Sequence, residues 1–243
     1  ESAPVDAELA GMLQQAADFA RKSDQLFNPA VGNLVALWGF HRDTYEPVVP
    51  DAAKLTALLA AKPSLDDLSF DGDQVSSRNR SVALDLGGFA KGWALDRVAD
   101  MLHRRGIHDA LINIGGNVLA LGSKSGVPWT VGLQHPRKPV PMATIELKDG
   151  EAIGTSGDYQ RFFEKDGKRY SHLIDPRNGQ PASSVQAVTV IAVGSGAGTL
   201  SDVATKSLFV GGSGTALKYA QRFGLKDVLL VEADGTVRAT RSL

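Results

Sequence analysis

Two short glycine-paired stretches of this chain suit an anionic ligand, the first of them with charged residues beside the glycines. The first is Asp85-Leu86-Gly87-Gly88-Phe89-Ala90-Lys91-Gly92. A strand, a Gly-Gly pair and a helix in succession leave backbone N–H groups open to an anion. Lys91 lies one helical turn from Gly88, so its ammonium can reach the same place. The plainer alternative is a tight strand-to-helix turn, with Asp85 bonding nearby N–H groups and Lys91 solvated. The spacing of a Walker A loop is absent. The second is Ile114-Gly115-Gly116-Asn117, which marks either a bend or a place where a flat ring or a phosphate approaches the backbone.

His172 is a candidate for moving a proton. It sits in Ser171-His172-Leu173-Ile174-Asp175, after a strand-like stretch from Arg161 to Tyr170 and before Pro176, Asn178, Gly179 and Pro181. An extended segment and a stiff turn can aim an imidazole, whose reference pKa of about 6.5 suits proton transfer near neutrality. A structural role, capping the Asp175-Pro176 turn, is the alternative. His41, His103, His108 and His135 stand beside helix ends or in loops and read as surface residues. Gly154-Thr155-Ser156-Gly157 has the look of a nucleophile turn in chymotrypsin-type serine proteases, or of an ordinary turn. A Ser156 hydrolase would need a triad that the sequence does not place.

Asp202, Thr205 and Lys206 share one helix face by their spacing. A surface Asp–Lys pair there would contribute only about 0.3 kcal/mol. The neighbours Val203, Ala204, Leu208, Phe209 and Val210 are apolar, which suggests a buried helix instead. A buried Asp requires a cation, either a metal or a lysine.

Amphipathic periodicity predicts a helix from Asp6 to Ser23, and Asp51 caps a second that stops before Pro63. Leu34 to Trp38 is a short apolar piece. Strands are predicted around Leu68–Phe70, Gln74–Ser77 and Val82–Leu86, then a helix from Phe89 to Arg105 closed by Gly106. Further strands are predicted at Leu111–Ile114, Val118–Leu121, Trp129–Leu133, Thr144–Leu147, Arg161–Glu164, Arg169–His172 and Ala187–Val193. Helices at Gly198–Val210 and Thr215–Phe223 precede a closing hairpin, Val228–Glu232 with Val237–Ala239. Adjacent strands without steady βαβ alternation point to an α+β fold.

The chain has 243 residues, enough for one large domain or two lobes sharing a core. Its 26 Lys and Arg against 27 Asp and Glu leave a net charge of −1 and no basic stripe, which argues against nucleic acid as a partner. No apolar run is long enough for a transmembrane segment. With no cysteine, disulfides, thiol nucleophiles and cysteine-held metals are excluded.

In order along the chain, these segments resemble the ApbE family, the FAD:protein FMN transferases. The likeness runs from about residue 7 to the end. It begins with Phe27-Asn28-Pro29-Ala30-Val31-Gly32 and Leu37-Trp38-Gly39-Phe40, then takes in the segment Asp85 to Gly92 and Ala110 to Asn117. Thr155-Ser156-Gly157-Asp158-Tyr159, Ser171 to Pro176, and Ser201-Asp202 before Leu208-Phe209-Val210 complete it.

The resemblance implies a T-fold-like α+β protein of mixed sheets with packed helices, one domain over residues 1–243. It implies FAD as substrate, usually with Mg²⁺, and transfer of FMN to a Thr or Ser hydroxyl of a partner protein with release of AMP. Some relatives hydrolyse FAD to FMN and AMP, and a flavin-binding protein without turnover is a third option. Carried over by position, Asp85, Lys91 and the Ile174 backbone hold FAD. The Gly88 carbonyl and Asp202 face the metal, and His172 is catalytic. Where the family has Thr four residues after that Asp, this chain has Lys206, with Thr205 one earlier. Either the Lys206 ammonium stands in for Mg²⁺ or Thr205 coordinates it. The numbered chain starts at Glu1 without the family's N-terminal strand region and Met-Gly-Thr motif, and is expected to be a fragment or a short member. The implied acceptor is an extracytoplasmic subunit of a membrane redox complex, and the implied location is the periplasm or outer surface of the inner membrane.

Overall fold

A computed structural model describes residues 2–42, 44 and 47–240. The chain opens with β1 (Ser2–Pro4), α1 (Ala7–Lys22), α2 (Gly32–Leu37), α3 (Ala52–Ala61), β2 (Leu68–Asp71) and β3 (Gln74–Ser77). Next come α4 (Ala90–Arg104), β4 (Ala110–Ile114), β5 (Asn117–Leu121), β6 (Trp129–Gln134), β7 (Pro141–Leu147) and β8 (Glu151–Gly157). The hairpin β9 (Phe162–Lys165) and β10 (Lys168–Ser171) leads to β11 (Val185–Val193), α5 (Ala197–Gly211), α6 (Ser213–Phe223), β12 (Asp227–Glu232) and β13 (Val237–Ala239). The architecture is α+β. The chain divides into two compact units, Glu1–Leu86 with Arg161–Ala182, and Gly87–Gln160 with Ser183–Leu243.

In the first unit local signals set the helices. Asp6 accepts the Leu9 N–H at 2.7 Å and starts α1, whose Leu13, Ala16, Ala17 and Ala20 are buried on one face. Asp51 accepts the N–H groups of Ala53 and Lys54 and starts α3. The strands pair antiparallel in the order β1-β3-β2, and β9 pairs with β10. Trp38, Phe40, Leu34, Leu55, Phe163 and Ile174 form the core of this unit.

The expected strand Val82–Leu86 is not formed. Ala83 makes one parallel bridge to Val31, its N–H donates to Ala30 O, and the Asp85 N–H donates to Pro29 O at 2.8 Å. The neighbouring chain turns into α2 at Gly32, so no partner continues alongside. Conversely, the apolar piece at Leu34 to Trp38 proves to be mostly helix, α2.

The second unit is built on a six-stranded antiparallel sheet in the order β13-β12-β11-β8-β5-β4. Alternation along β5 sends Val118 and Ala120 into one cluster with Leu133, Ile145, Leu147 and Ile153. Leu119 and Leu121 join the other, with Leu95 and Ala99 of α4 and Ala197 of α5. The β6–β7 hairpin and the helix pair therefore cover opposite faces. No helix among the described residues is long and apolar enough to cross a membrane.

Strand β8 was not expected. Glu151-Ala-Ile-Gly-Thr-Ser-Gly157 carries the small residues of a turn, yet it pairs along its length with β11 and also with β5. The small residues answer to packing. A Cβ at Gly154 would stand 2.7 Å from the Ser201 carbonyl oxygen, so glycine is what lets α5 lie this close to the sheet.

Candidate functional site

Four of the expected site residues meet in the second unit. Asp202 of α5 has no exposed surface. Its Oδ2 accepts the Gly92 N–H at 3.0 Å, its Oδ1 binds the Lys206 ammonium, and Lys91 Nζ stands 3.6 Å from the same oxygen. Lys91 also donates to the Gly87 carbonyl at 2.8 Å. Gly88 lies against the Lys206 stem, where a Cβ would be 3.3 Å from Cγ and Cε. Gly115, at φ +58°, lies against the stem of Lys91, 2.9 Å from Cδ by the same measure. Asn117 is 1% exposed and faces the Asp202 carboxylate, although its Nδ2 makes no hydrogen bond of regular geometry.

Burial works to raise the Asp202 pKa, but the charges of Lys206 and then Lys91 outweigh it and hold the carboxyl below its usual range. Burial draws the Lys206 ammonium below an ordinary lysine, against the attraction of Asp202 and with a further push from Lys91. Two ammonium groups here share one carboxylate. The cluster is thus positive, at the start of α4, a helix whose first residue lacks a side-chain cap.

Thr205 faces elsewhere. Its hydroxyl donates to the Asp202 carbonyl at 2.7 Å and accepts from Ser156 Oγ at 2.8 Å. Ser156 is 3% exposed on β8, and this bond commits its hydroxyl, so the nucleophile-turn reading fails.

Mg²⁺ is commonly held by one or two carboxylates with substrate phosphates and waters, so the fit is decided at Asp202 itself. Among the described residues no three His, Asp or Glu side chains gather to hold a metal. At Asp202 the Thr205 hydroxyl is committed, and two ammonium groups oppose a dication more than one carboxylate attracts it. The metal set expected at Gly88, Asp202, Thr205 and Lys206 does not fit a divalent ion in this arrangement.

The first unit holds Asp85, His172 and Ile174. His172 follows β10, and its main-chain N–H donates to Arg161 O at 3.0 Å. Nδ1 lies 3.2 Å from that same carbonyl. A bond there puts the proton on Nδ1, and in the neutral ring the lone pair then sits on Nε2. Phe40 packs edge-on against the imidazole, with 6.4 Å between ring centroids. Ile174 is bridged to Pro181. Asp175 binds the Arg177 guanidinium, and its carbonyl accepts the Gly179 N–H at 2.7 Å, so the turn after His172 is tightly tied. The Trp38 indole N–H, donating to the Gly179 carbonyl at 2.7 Å, anchors it to the core.

Gly92 and Asn117 were quoted within sequence motifs but not singled out as site residues. For Gly92 there was a local signal, since it falls in the first turn of the helix that follows Gly87-Gly88, where main-chain N–H groups have no partner within the helix. For Asn117 there was none, because only sheet formation brings it to Asp202.

The ApbE family model matches residues 1–229. The FAD:protein FMN transferase of Rhodobacter capsulatus is 42% identical over 240 residues, covering 99% of this chain and 45% of its own length. That of Treponema pallidum is 35% identical and covers 100% and 71%. Among solved structures, the ApbE protein of Thermotoga maritima superposes with a TM-score of 0.88 at 34% identity, covering 98% of this chain and 77% of that one. The apo flavinyl transferase ApbE of Pseudomonas stutzeri gives 0.85 at 32% identity, over 99% and 75%. The chain spans only 45% of the Rhodobacter relative and 57% of one from Klebsiella pneumoniae.

Proposed function

Because the chain belongs to the ApbE family, we propose that it moves FMN from FAD to a Thr or Ser hydroxyl of a partner protein, releasing AMP. The hydroxyl oxygen bonds to the FMN-side phosphorus while the bridging P–O bond breaks, and AMP leaves with that bridging oxygen. Such a displacement needs the diphosphate charge neutralised and the hydroxyl placed in line. Lys91 and Lys206 supply positive charge. Asp85 and the Ile174 backbone hold the nucleotide. His172 takes the hydroxyl proton at Nε2, the nitrogen that the Arg161 carbonyl leaves unprotonated.

The observation that carries this reading is the buried Asp202 with two ammonium groups on it at the start of α4, a positive cluster suited to phosphate oxygens. By the same reading the acceptor is an extracytoplasmic subunit of a membrane redox complex, and the chain works in the periplasm or on the outer face of the inner membrane.

The test is incubation with FAD and a peptide carrying the acceptor Thr, followed by intact-mass measurement. Gain of one FMN unit on the peptide with stoichiometric AMP supports transfer. FMN and AMP released at the same rate with or without the peptide would make water the acceptor, and the chain a pyrophosphatase. A flavin-loaded protein releasing no AMP would be a carrier.

A further inference from the structure

We propose that the Lys206 ammonium, seated on Asp202, is the resident cation of the diphosphate site, so that this chain binds its dinucleotide without a divalent metal ion. The inference rests on the flavin reading above and names the cation that serves it. Three features of the structure lead to it.

The first is occupancy. Both Asp202 oxygens are already engaged, Oδ2 by the Gly92 N–H and Oδ1 by Lys206, with Lys91 at 3.6 Å. A metal would have to displace an ammonium from a carboxylate with no exposed surface.

The second is fixation. The Lys206 stem is packed against Gly88, and its side chain is only 15% exposed. The ammonium is therefore held in place before a ligand arrives, as a bound ion would be. A lysine on the surface would instead lose rotamer freedom on each binding event.

The third is the charge of the whole cluster. Two ammonium groups and one carboxylate carry a net single positive charge, ready for an anion without further recruitment. The Thr205 hydroxyl, the candidate oxygen on the same helix, is turned onto Ser156 and the Asp202 carbonyl.

The experiment titrates FAD into the full chain and follows flavin fluorescence, once in excess EDTA and once in millimolar Mg²⁺. The expected result is the same Kd in both media, within about twofold. Lys206→Ser should weaken FAD binding in EDTA by about tenfold or more, the scale of a lost hydrogen bond to a charged group. In that variant Mg²⁺ should recover part of the affinity, and Mn²⁺ should lose its free-ion electron-spin signal on titration, because a hydrated dication can enter the vacated space. Wild-type protein that needs Mg²⁺ for FAD binding, or that takes up Mn²⁺ with Lys206 intact, overturns the inference alone. No FAD binding in either medium overturns the flavin reading and the inference with it. The wild-type comparison stands even if Lys206→Ser does not fold.

Discussion

Gly92 of α4 and Gly198 of α5 meet backbone to backbone. A Cβ at Gly92 would stand 2.3 Å from the Gly198 carbonyl oxygen, and one at Gly198 would stand 2.6 Å from that of Gly92. This contact sets how near the two helices come, and so lets the Gly92 N–H reach Asp202 Oδ2. The candidate phosphate site depends on two residues that have no side chain.

Gly92→Ala is accordingly expected to destabilise the protein. Overpacking of this kind costs about 1–3 kcal/mol, and the obstacle here is backbone, which places the effect at the upper end. Gly11→Ala in α1 makes the control, since a Cβ there meets nothing within 4 Å. It should stabilise by about 0.5–1 kcal/mol through helix propensity. Urea unfolding of both variants checks the pair; equal shifts in the two would refute the close-contact account.

The Asp202 carboxyl lies below its usual range in the folded protein. A depressed carboxylate stabilises the fold above the unfolded value, about 3.9, and that contribution disappears as pH falls through the lower folded value. The stability difference between wild type and Asp202→Asn should therefore be full at pH 6 and shrink as pH falls below about 4. Denaturant midpoints measured down to pH 3 test this, and a difference that stays constant throughout would contradict it.

Trp38→Phe keeps the ring in the Phe40, Phe163 and Tyr170 cluster but removes the indole N–H that binds the buried Gly179 carbonyl. Leaving that acceptor unpaired should cost about 1–3 kcal/mol. Amide exchange at Asn178 and Gly179 should speed up as well. Unchanged stability and exchange would mean that the turn after His172 is held by its own bonds alone.

His172→Gly should leave FAD binding within about twofold of wild type and abolish transfer of FMN to an acceptor peptide. The same ring touches Phe40 and the Arg161 carbonyl, so a melting curve must accompany the assay. Normal turnover in a folded variant would remove His172 from the mechanism.

Arg161→Ala probes the residue just before β9 whose carbonyl holds the imidazole. The Arg161 guanidinium binds the Phe40 carbonyl, while the Arg161 carbonyl meets the His172 main-chain N–H and Nδ1. Transfer should fall mainly in kcat, because the hydroxyl's proton acceptor is less well aimed, with KM for FAD little changed. A rise in KM alone would instead make Arg161 a binding residue.

The sequence by itself determined the elements whose signals are local. Asp6 and Asp51 announce α1 and α3 because a capping carboxylate acts on N–H groups two or three residues away. The Asp234-Gly235 turn between β12 and β13 is equally local. The i, i+4 relation of Asp202 and Lys206 was legible for the same reason, as was the apolar company that buries them. Tertiary structure decided what depends on distant neighbours. β8 is a strand because β11 and β5 flank it, and its Gly154, read locally as part of a turn, is the residue that lets α5 approach. Val82–Leu86 is no strand because the chain beside it becomes α2. A pair of neighbours in sequence also cannot reveal that a third charge, Lys91, shares the carboxylate. Charge balance in a buried cluster is set by every element packed around it, and only the folded chain brings them together.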